Sequence, residues 1–175
     1  PMTTPLCSRH RAPMRQSSPM VTRDLSTVPA PMRAPRSTTH RGPMVADASE
    51  AEQFAVMARE CGLKTVGVMI EVPSCAVLAD QVFDVVDFVS IGTNDLTQYA
   101  LAADRQNGEV AGYQDPWHPA VLRLIRMVGD AATASGKPLS VCGEAASDPL
   151  LAIVLVGLGV TSLSMVPNAL KHVRT

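Results

Sequence analysis

The sequence predicts an α/β fold from residue 43 onward: a parallel sheet whose strands are joined by crossover helices. Three observations carry this. Short apolar runs alternate with helical patterns at the spacing of strand–helix–strand units. The runs are continuously apolar, which fits a sheet covered on both sides or the wall of a barrel. Polar residues gather where the runs end, the place where an α/β barrel keeps its reactive groups.

In chain order, strands are predicted over residues 43–46, 66–71, 86–91, 139–142 and 162–165. The helix over 48–61 begins at an Asp47 cap with acids in its first turn. The next, 74–85, follows Pro73. A third, 119–135, carries Val121, Leu122, Ile125 and Val128 on one face. Helices over 149–157 and 168–173 complete the set.

Composition divides the chain near Gly42. Residues 1–42 carry seven arginines and one acid, Asp24, whereas residues 43–175 carry eight basic and fifteen acidic residues. Seven of the fourteen prolines fall in the first segment, and Pro-Met recurs at 1, 13, 19, 31 and 43. The segment has no helical or strand period, so a low-complexity, disordered tail or a frame-shifted translation is expected over 1–42, with one domain over 43–175. Its Arg- and Ser-rich composition is similar to a transit peptide, but scattered prolines oppose the amphipathic helix such peptides form. It also lacks the apolar core of a secretory signal.

The total charge of −1 predicts no attraction to nucleic acid or anionic lipid. No run approaches the roughly 18 to 20 apolar residues that a membrane-spanning helix requires. The four cysteines, Cys7, Cys61, Cys75 and Cys142, contain no C-x-x-C pair. Reduced thiols and a cytoplasmic location are the expectation.

Three strand ends present groups able to do chemistry. The second strand ends in Glu71, the third in Gly92-Thr93-Asn94-Asp95, and the fourth in Cys142-Gly143-Glu144. Glu71 and Asp95 are hard oxygen donors suited to Mg2+, although each could instead cap the helix after its strand. Asn94 and the Gly92-Thr93 turn could donate hydrogen bonds to an anion. Arg105, in the long segment after the third strand, has the planar fork that suits phosphate or carboxylate, or it could pair with Asp104. Cys142 could donate a proton to a pyruvate-type carbon, or be a buried structural cysteine. Cys61 and Cys75 read as packing residues, and His118 as structural.

In order along the chain stand Gly67-Val68-Met69-Ile70-Glu71-Val72-Pro73 and Ser90-Ile91-Gly92-Thr93-Asn94-Asp95-Leu96-Thr97-Gln98-Tyr99. Ala103-Asp104-Arg105, Val141-Cys142-Gly143-Glu144 and Gly157-Leu158-Gly159-Val160 follow. Together these motifs resemble the signature of phosphoenolpyruvate-utilising enzymes, and residues 97–105 are most similar to the Enzyme I branch of the sugar phosphotransferase system. The resemblance covers residues 43–175 and implies part of a (βα)8 barrel, about its last five strands. It implies Glu71 and Asp95 as magnesium ligands, and Asn94, Asp95 and Arg105 as groups holding the substrate's phosphate and carboxylate. Cys142 is implied as the acid that converts the enolate to pyruvate. In such enzymes the phosphoryl group moves to a histidine on a separate domain and then to a small phosphocarrier protein.

The phosphohistidine domain, the carrier-binding helices and the first three barrel strands are not in this sequence. The chain is therefore expected to be weakly stable, exposed at the edge strand 43–46, and unable to complete phosphotransfer alone. A fragment of pyruvate phosphate dikinase or phosphoenolpyruvate synthase is the alternative within the family. A non-catalytic remnant or split-barrel partner is the alternative outside enzymology. Enzyme I proteins dimerise through this domain, so a homodimer is possible.

Overall fold

The structure is a computed structural model that describes residues 21–24 and 45–174. Five strands form one sheet: β1 (Val21–Asp24), β2 (Gly67–Ile70), β3 (Phe88–Gly92), β4 (Leu139–Cys142) and β5 (Ser162–Met165), in the order β1-β5-β4-β3-β2. Strands β2 to β5 are parallel and lie in sequence order, and β1 pairs antiparallel with β5. The register sets Ile70 opposite Ile91, and Gly92 opposite Cys142.

Helices α1 (Ala48–Glu60), α2 (Pro73–Val77), α3 (Ala79–Val85), α4 (Thr93–Leu101), α5 (Pro119–Ser135), α6 (Pro149–Gly157) and α7 (Leu170–Val173) connect and cover the strands. One face of the sheet meets the helices. Val68, Ile70, Val89, Ile91, Leu139, Val141, Leu163 and Met165 point into this core, where they join Val82, Phe83, Val121, Ile125, Val128, Leu151 and Leu155. Each such side chain, fully buried, contributes about 1.5–3 kcal/mol. The alternate residues Ser90, Ser140, Cys142 and Ser162 are half-buried on the other face. Helices on one face alone match a segment of barrel wall, and the described strands form an open sheet.

The helix ends follow local chemistry. Asp47 accepts from the Glu50 backbone N–H at 3.0 Å, and the Glu50 carboxylate accepts from the Ala46 N–H at 2.8 Å, a reciprocal cap. The His118 Nδ1 accepts from the Ala120 N–H at 3.2 Å, with Pro119 in the first turn, so His118 is structural as expected. Asp148 accepts from the N–H groups of Leu150 and Leu151 and starts α6.

Four expectations need correction. The strand expected over 43–46 is not formed at Val45 and Ala46, while Pro43 and Met44 lie outside the described residues. Ala46 spends its N–H on Glu50 and its carbonyl on the Ser74 hydroxyl (3.0 Å), leaving neither group for a ladder. The parallel part of the sheet thus has four strands where five were expected. The helix expected over 74–85 is two helices bent at Leu78 (φ −101°, ψ 24°), with hydrogen bonds running across the bend. Helix α4 (Thr93–Leu101) occupies a stretch for which no helix is expected beyond the Gly92-Thr93 turn. The segment 1–42, expected to be a disordered tail or a frame-shifted translation, lies outside the described residues except for Val21–Asp24, which form a strand.

Among the described residues, no helix is long and apolar enough to cross a membrane. Cys75 and Cys142 are not in disulfides, whereas Cys61, exposed at the end of α1, is disulfide-bonded, against the expectation of reduced thiols throughout.

Candidate active site

The C-terminal ends of β2, β3 and β4 form one edge of the sheet, and the polar residues read from the sequence sit along it. Glu71 follows β2 directly and is half-buried. Its side chain lies across Gly92: a Cβ built on Gly92 would stand 2.3 Å from Glu71 Oε1 and 2.6 Å from its Cγ. Gly92 is therefore the floor on which the carboxylate rests. On its other side Gly92 is in register with Cys142. Glu71, Gly92 and Cys142 thus form a row across three adjacent strand ends.

Helix α4 starts on the residue after Gly92, which places Asn94 and Asp95 in its first turn. The first N–H groups of a helix have no intrahelical acceptor, and the helix dipole favours negative charge there. At Gly92 no side chain caps them. An anion seated at this end would meet backbone donors, the arrangement that serves phosphates at helix N-termini.

Arg105 pairs with Asp95, its Nη2 standing 3.2 Å from Oδ1, and its own backbone N–H donates to Gln98 Oε1 at 3.4 Å. The alternative partner, Asp104, instead caps the turn by accepting from the Gln106 N–H at 2.8 Å. Both members of the Arg105–Asp95 pair are partly solvated, at 44% and 31% side-chain exposure, so it is a movable contact of at most about 1 kcal/mol. Arg105 can exchange this carboxylate for a ligand's phosphate or carboxylate. The Cys142 thiol is half-buried and directed toward the Ile91 carbonyl, with Sγ 3.5 Å away.

A cleft of about 230 Å³ opens beside these groups, lined by Thr93, Asn94, Thr97, Arg105, Gln114 and Glu144 among others. Gln114 Nε2 donates to the Ala103 carbonyl and anchors the far wall, the segment between α4 and α5.

Two residues act differently from the sequence reading. In the Gly92-Thr93 turn, expected to donate to an anion, the Thr93 hydroxyl is spent on the Cys142 carbonyl at 2.8 Å. Gly143, named in the sequence only as the residue after Cys142, has φ +99° and lies against Thr93 and Asn94, where a side chain would collide. Register alone reveals both contacts. The sequence signal was limited to a glycine directly after a strand-end cysteine.

Glu71 and Asp95 fit a magnesium ion by donor chemistry: both are hard oxygens on neighbouring strand ends, and the bare Gly92 leaves room for one carboxylate. Among the described residues no group of three or more His, Cys, Asp or Glu is poised around one point. Magnesium needs only one or two carboxylates, with water and substrate oxygens completing the octahedron.

The family profile described as PEP-utilising enzyme, PEP-binding domain, matches residues 43–175. A phosphoenolpyruvate-protein phosphotransferase of Streptomyces coelicolor is 56% identical over 133 residues, which are 75% of this chain and 24% of the relative. A protein of the same name from Latilactobacillus sakei is 50% identical over 110 residues, 63% of this chain and 19% of the relative. A phosphoenolpyruvate synthase of Pyrococcus furiosus is 45% identical over 138 residues, 75% of this chain and 17% of the relative. The chain therefore spans a quarter or less of the length of these relatives.

Proposed function

The chain belongs to the phosphoenolpyruvate-utilising enzymes, matching their PEP-binding domain over residues 43–175, and from this we propose that it carries the phosphoenolpyruvate site of a phosphoenolpyruvate–protein phosphotransferase of the Enzyme I type. The observation that carries the reading is the row Glu71, Gly92, Cys142 beside the open N-terminus of α4. It sets a carboxylate, a bare glycine floor, an acid and an anion seat on one edge. The phosphotransferase reading is favoured over the synthase by the higher identity of the phosphotransferase relatives.

In this mechanism Glu71 and Asp95 would hold a magnesium ion, which would supply positive charge against the anionic substrate. The first amides of α4 and the Asn94 side chain hold the phosphate or carboxylate, and Arg105 leaves Asp95 to clamp the same anion. The bond from the enol oxygen to phosphorus breaks as phosphorus bonds to a histidine nitrogen on another domain of the longer protein. The electron pair left on oxygen reforms a carbonyl, and C3 takes the Cys142 thiol proton to give pyruvate. Nearly all the rate gain in such a transfer comes from positioning and charge. Passage to a phosphocarrier protein in sugar uptake, cytoplasmic location and any homodimer belong to this reading as properties of the longer protein.

Calorimetric titration of phosphoenolpyruvate into the 175-residue chain tests it. Affinity is expected to rise with Mg2+ and to lose that dependence in Glu71→Gln. Binding that ignores both Mg2+ and the substitution would refute the assignment.

A further inference from the structure

The end of β4 is fastened to the start of α4 by contacts that belong to neither sheet nor helix. Thr93 is 1% exposed, and its hydroxyl donates to the Cys142 carbonyl at 2.8 Å. The Glu144 N–H donates to Asn94 Oδ1 at 3.1 Å. Between them Gly143 lies so close that a Cβ would stand 2.6 Å from Thr93 Oγ1 and 2.8 Å from Asn94 Oδ1. The two bonds join residues 49 and 50 positions apart.

The chemistry of these contacts is directional. Cys142 is the last residue of the β3–β4 ladder. The Thr93 hydroxyl donates to its carbonyl at that end. It thereby fixes the peptide plane from which the Cys142 side chain departs. With Oδ1 occupied by Glu144, the Asn94 amide presents its NH2 group, a donor, to whatever lies at the head of α4. Resting on the enolate chemistry assigned above, we propose that Thr93 is a positioning residue for proton transfer by Cys142. Through the Thr93 hydroxyl, the Gly143 contact and the Glu144 amide, the acid and the anion-holding residues form one rigid body. A bound anion at Asn94 then finds the Cys142 thiol already placed.

Exchange of the pyruvate methyl hydrogens in D2O with Mg2+ tests this with the 175-residue chain, because it needs no phosphohistidine. A C3–H bond breaks as its proton passes to the Cys142 thiolate; the sulfur exchanges that proton with solvent and returns a deuteron to C3. Thr93→Val is expected to lower kcat for exchange about tenfold, near the worth of one hydrogen bond, with KM within about twofold. Thr93→Ser, which keeps the hydroxyl, is expected to restore kcat. Amide hydrogen exchange over residues 143–147 is expected to speed up in Thr93→Val and not in Thr93→Ser, with α1 unchanged. Thr93→Ala, free of any packing conflict, should repeat the valine result. An unaltered kcat in folded Thr93→Val or Thr93→Ala, a loss confined to KM, or no rescue by serine would overturn the proposal. No methyl exchange in the wild-type chain would instead overturn the enolate reading, a result distinct from wild-type exchange that Thr93→Val leaves intact.

Discussion

Gly92→Ala separates the proposed metal-binding role of Glu71 from its contribution to folding. The new Cβ would stand 2.3 Å from Glu71 Oε1 and 2.8 Å from its Cδ, whereas ordinary contact begins at 3.4 Å. The carboxyl group must therefore retreat by about 1.1 Å. A magnesium–oxygen bond is about 2.0–2.1 Å long and its octahedron tolerates little distortion, so a shift of that size takes Glu71 out of the coordination sphere. Misplacing a reacting or binding group by about 1 Å costs on the order of a hundredfold. The backbone meanwhile has no objection: Gly92 sits at φ −89°, open to any residue. Removing glycine at such a position stabilises a fold by about 0.4–1 kcal/mol through the unfolded chain. The expected result is a melting temperature unchanged or slightly raised, with Mg2+ affinity down about a hundredfold, on the same misplacement argument. Isothermal titration with MgCl2 beside a circular-dichroism melt reads both. A folded Gly92→Ala protein with wild-type Mg2+ affinity would refute the placement of Glu71 as a ligand.

Three further perturbations have defined outcomes. Gly129→Ala would set a Cβ 1.7 Å from the Leu158 carbonyl oxygen, a backbone atom that cannot swing away. It is expected to cost at least about 1–3 kcal/mol in urea unfolding, and a neutral result would mean that α5 and the 158–159 turn are farther apart. Thr97 is 2% exposed and its hydroxyl has no hydrogen-bond partner among the described residues, so Thr97→Val should stabilise by about 1 kcal/mol. A loss in thermal melts would show that the hydroxyl is in use. The Cys75 thiol is pushed up to about 12 from 9.0, first by burial and then by Asp47 and Glu50. The unfolded chain releases this proton at lower pH than the folded one, so the stability linked to Cys75 is complete below pH 9 and declines between 9 and 12. Cys75→Ser, whose hydroxyl does not ionise in this range, should flatten that decline, and an equal slope in both proteins would refute the burial of the thiol.

Sequence pattern located β4 and β5 at their observed limits, and α5 and α6 as well, because each is bounded by a local signal. Pro119 and Gly136 bracket α5; Asp148 and Pro149 open α6. Helix α4 carries no such mark. It begins on β3 with a glycine that offers no capping side chain, and its buried face contains Thr93 and Thr97, weak helix formers. Packing against α2, β3, α5 and the 144–147 turn holds those residues in a helix. The site divides the same way. That Glu71 and Cys142 stand at strand ends, with Asp95 just beyond β3, was legible because strand ends concentrate polar groups. The partner of Arg105 was not, since Asp95 lies ten positions away while Asp104 is adjacent. Contacts such as Thr93 to Cys142 span 49 residues and exist only once register is set.

The same spans order the events of folding. Val66 and Asp87, and Leu139 and Thr161, are joined across 21 and 22 residues, but Ile91 and Cys142 across 51. Closing the longer loop costs about 0.8 kcal/mol more. Two strand–helix–strand halves, β2 to β3 and β4 to β5, therefore close before they join each other. Glu71, Asn94 and Asp95 ride on the first half and Cys142 on the second. The seam between the halves is the proposed site, so proton donor and anion seat meet only in the final docking step, and an intermediate with one half formed alone would carry either the groups that hold the anion or the acid, never both.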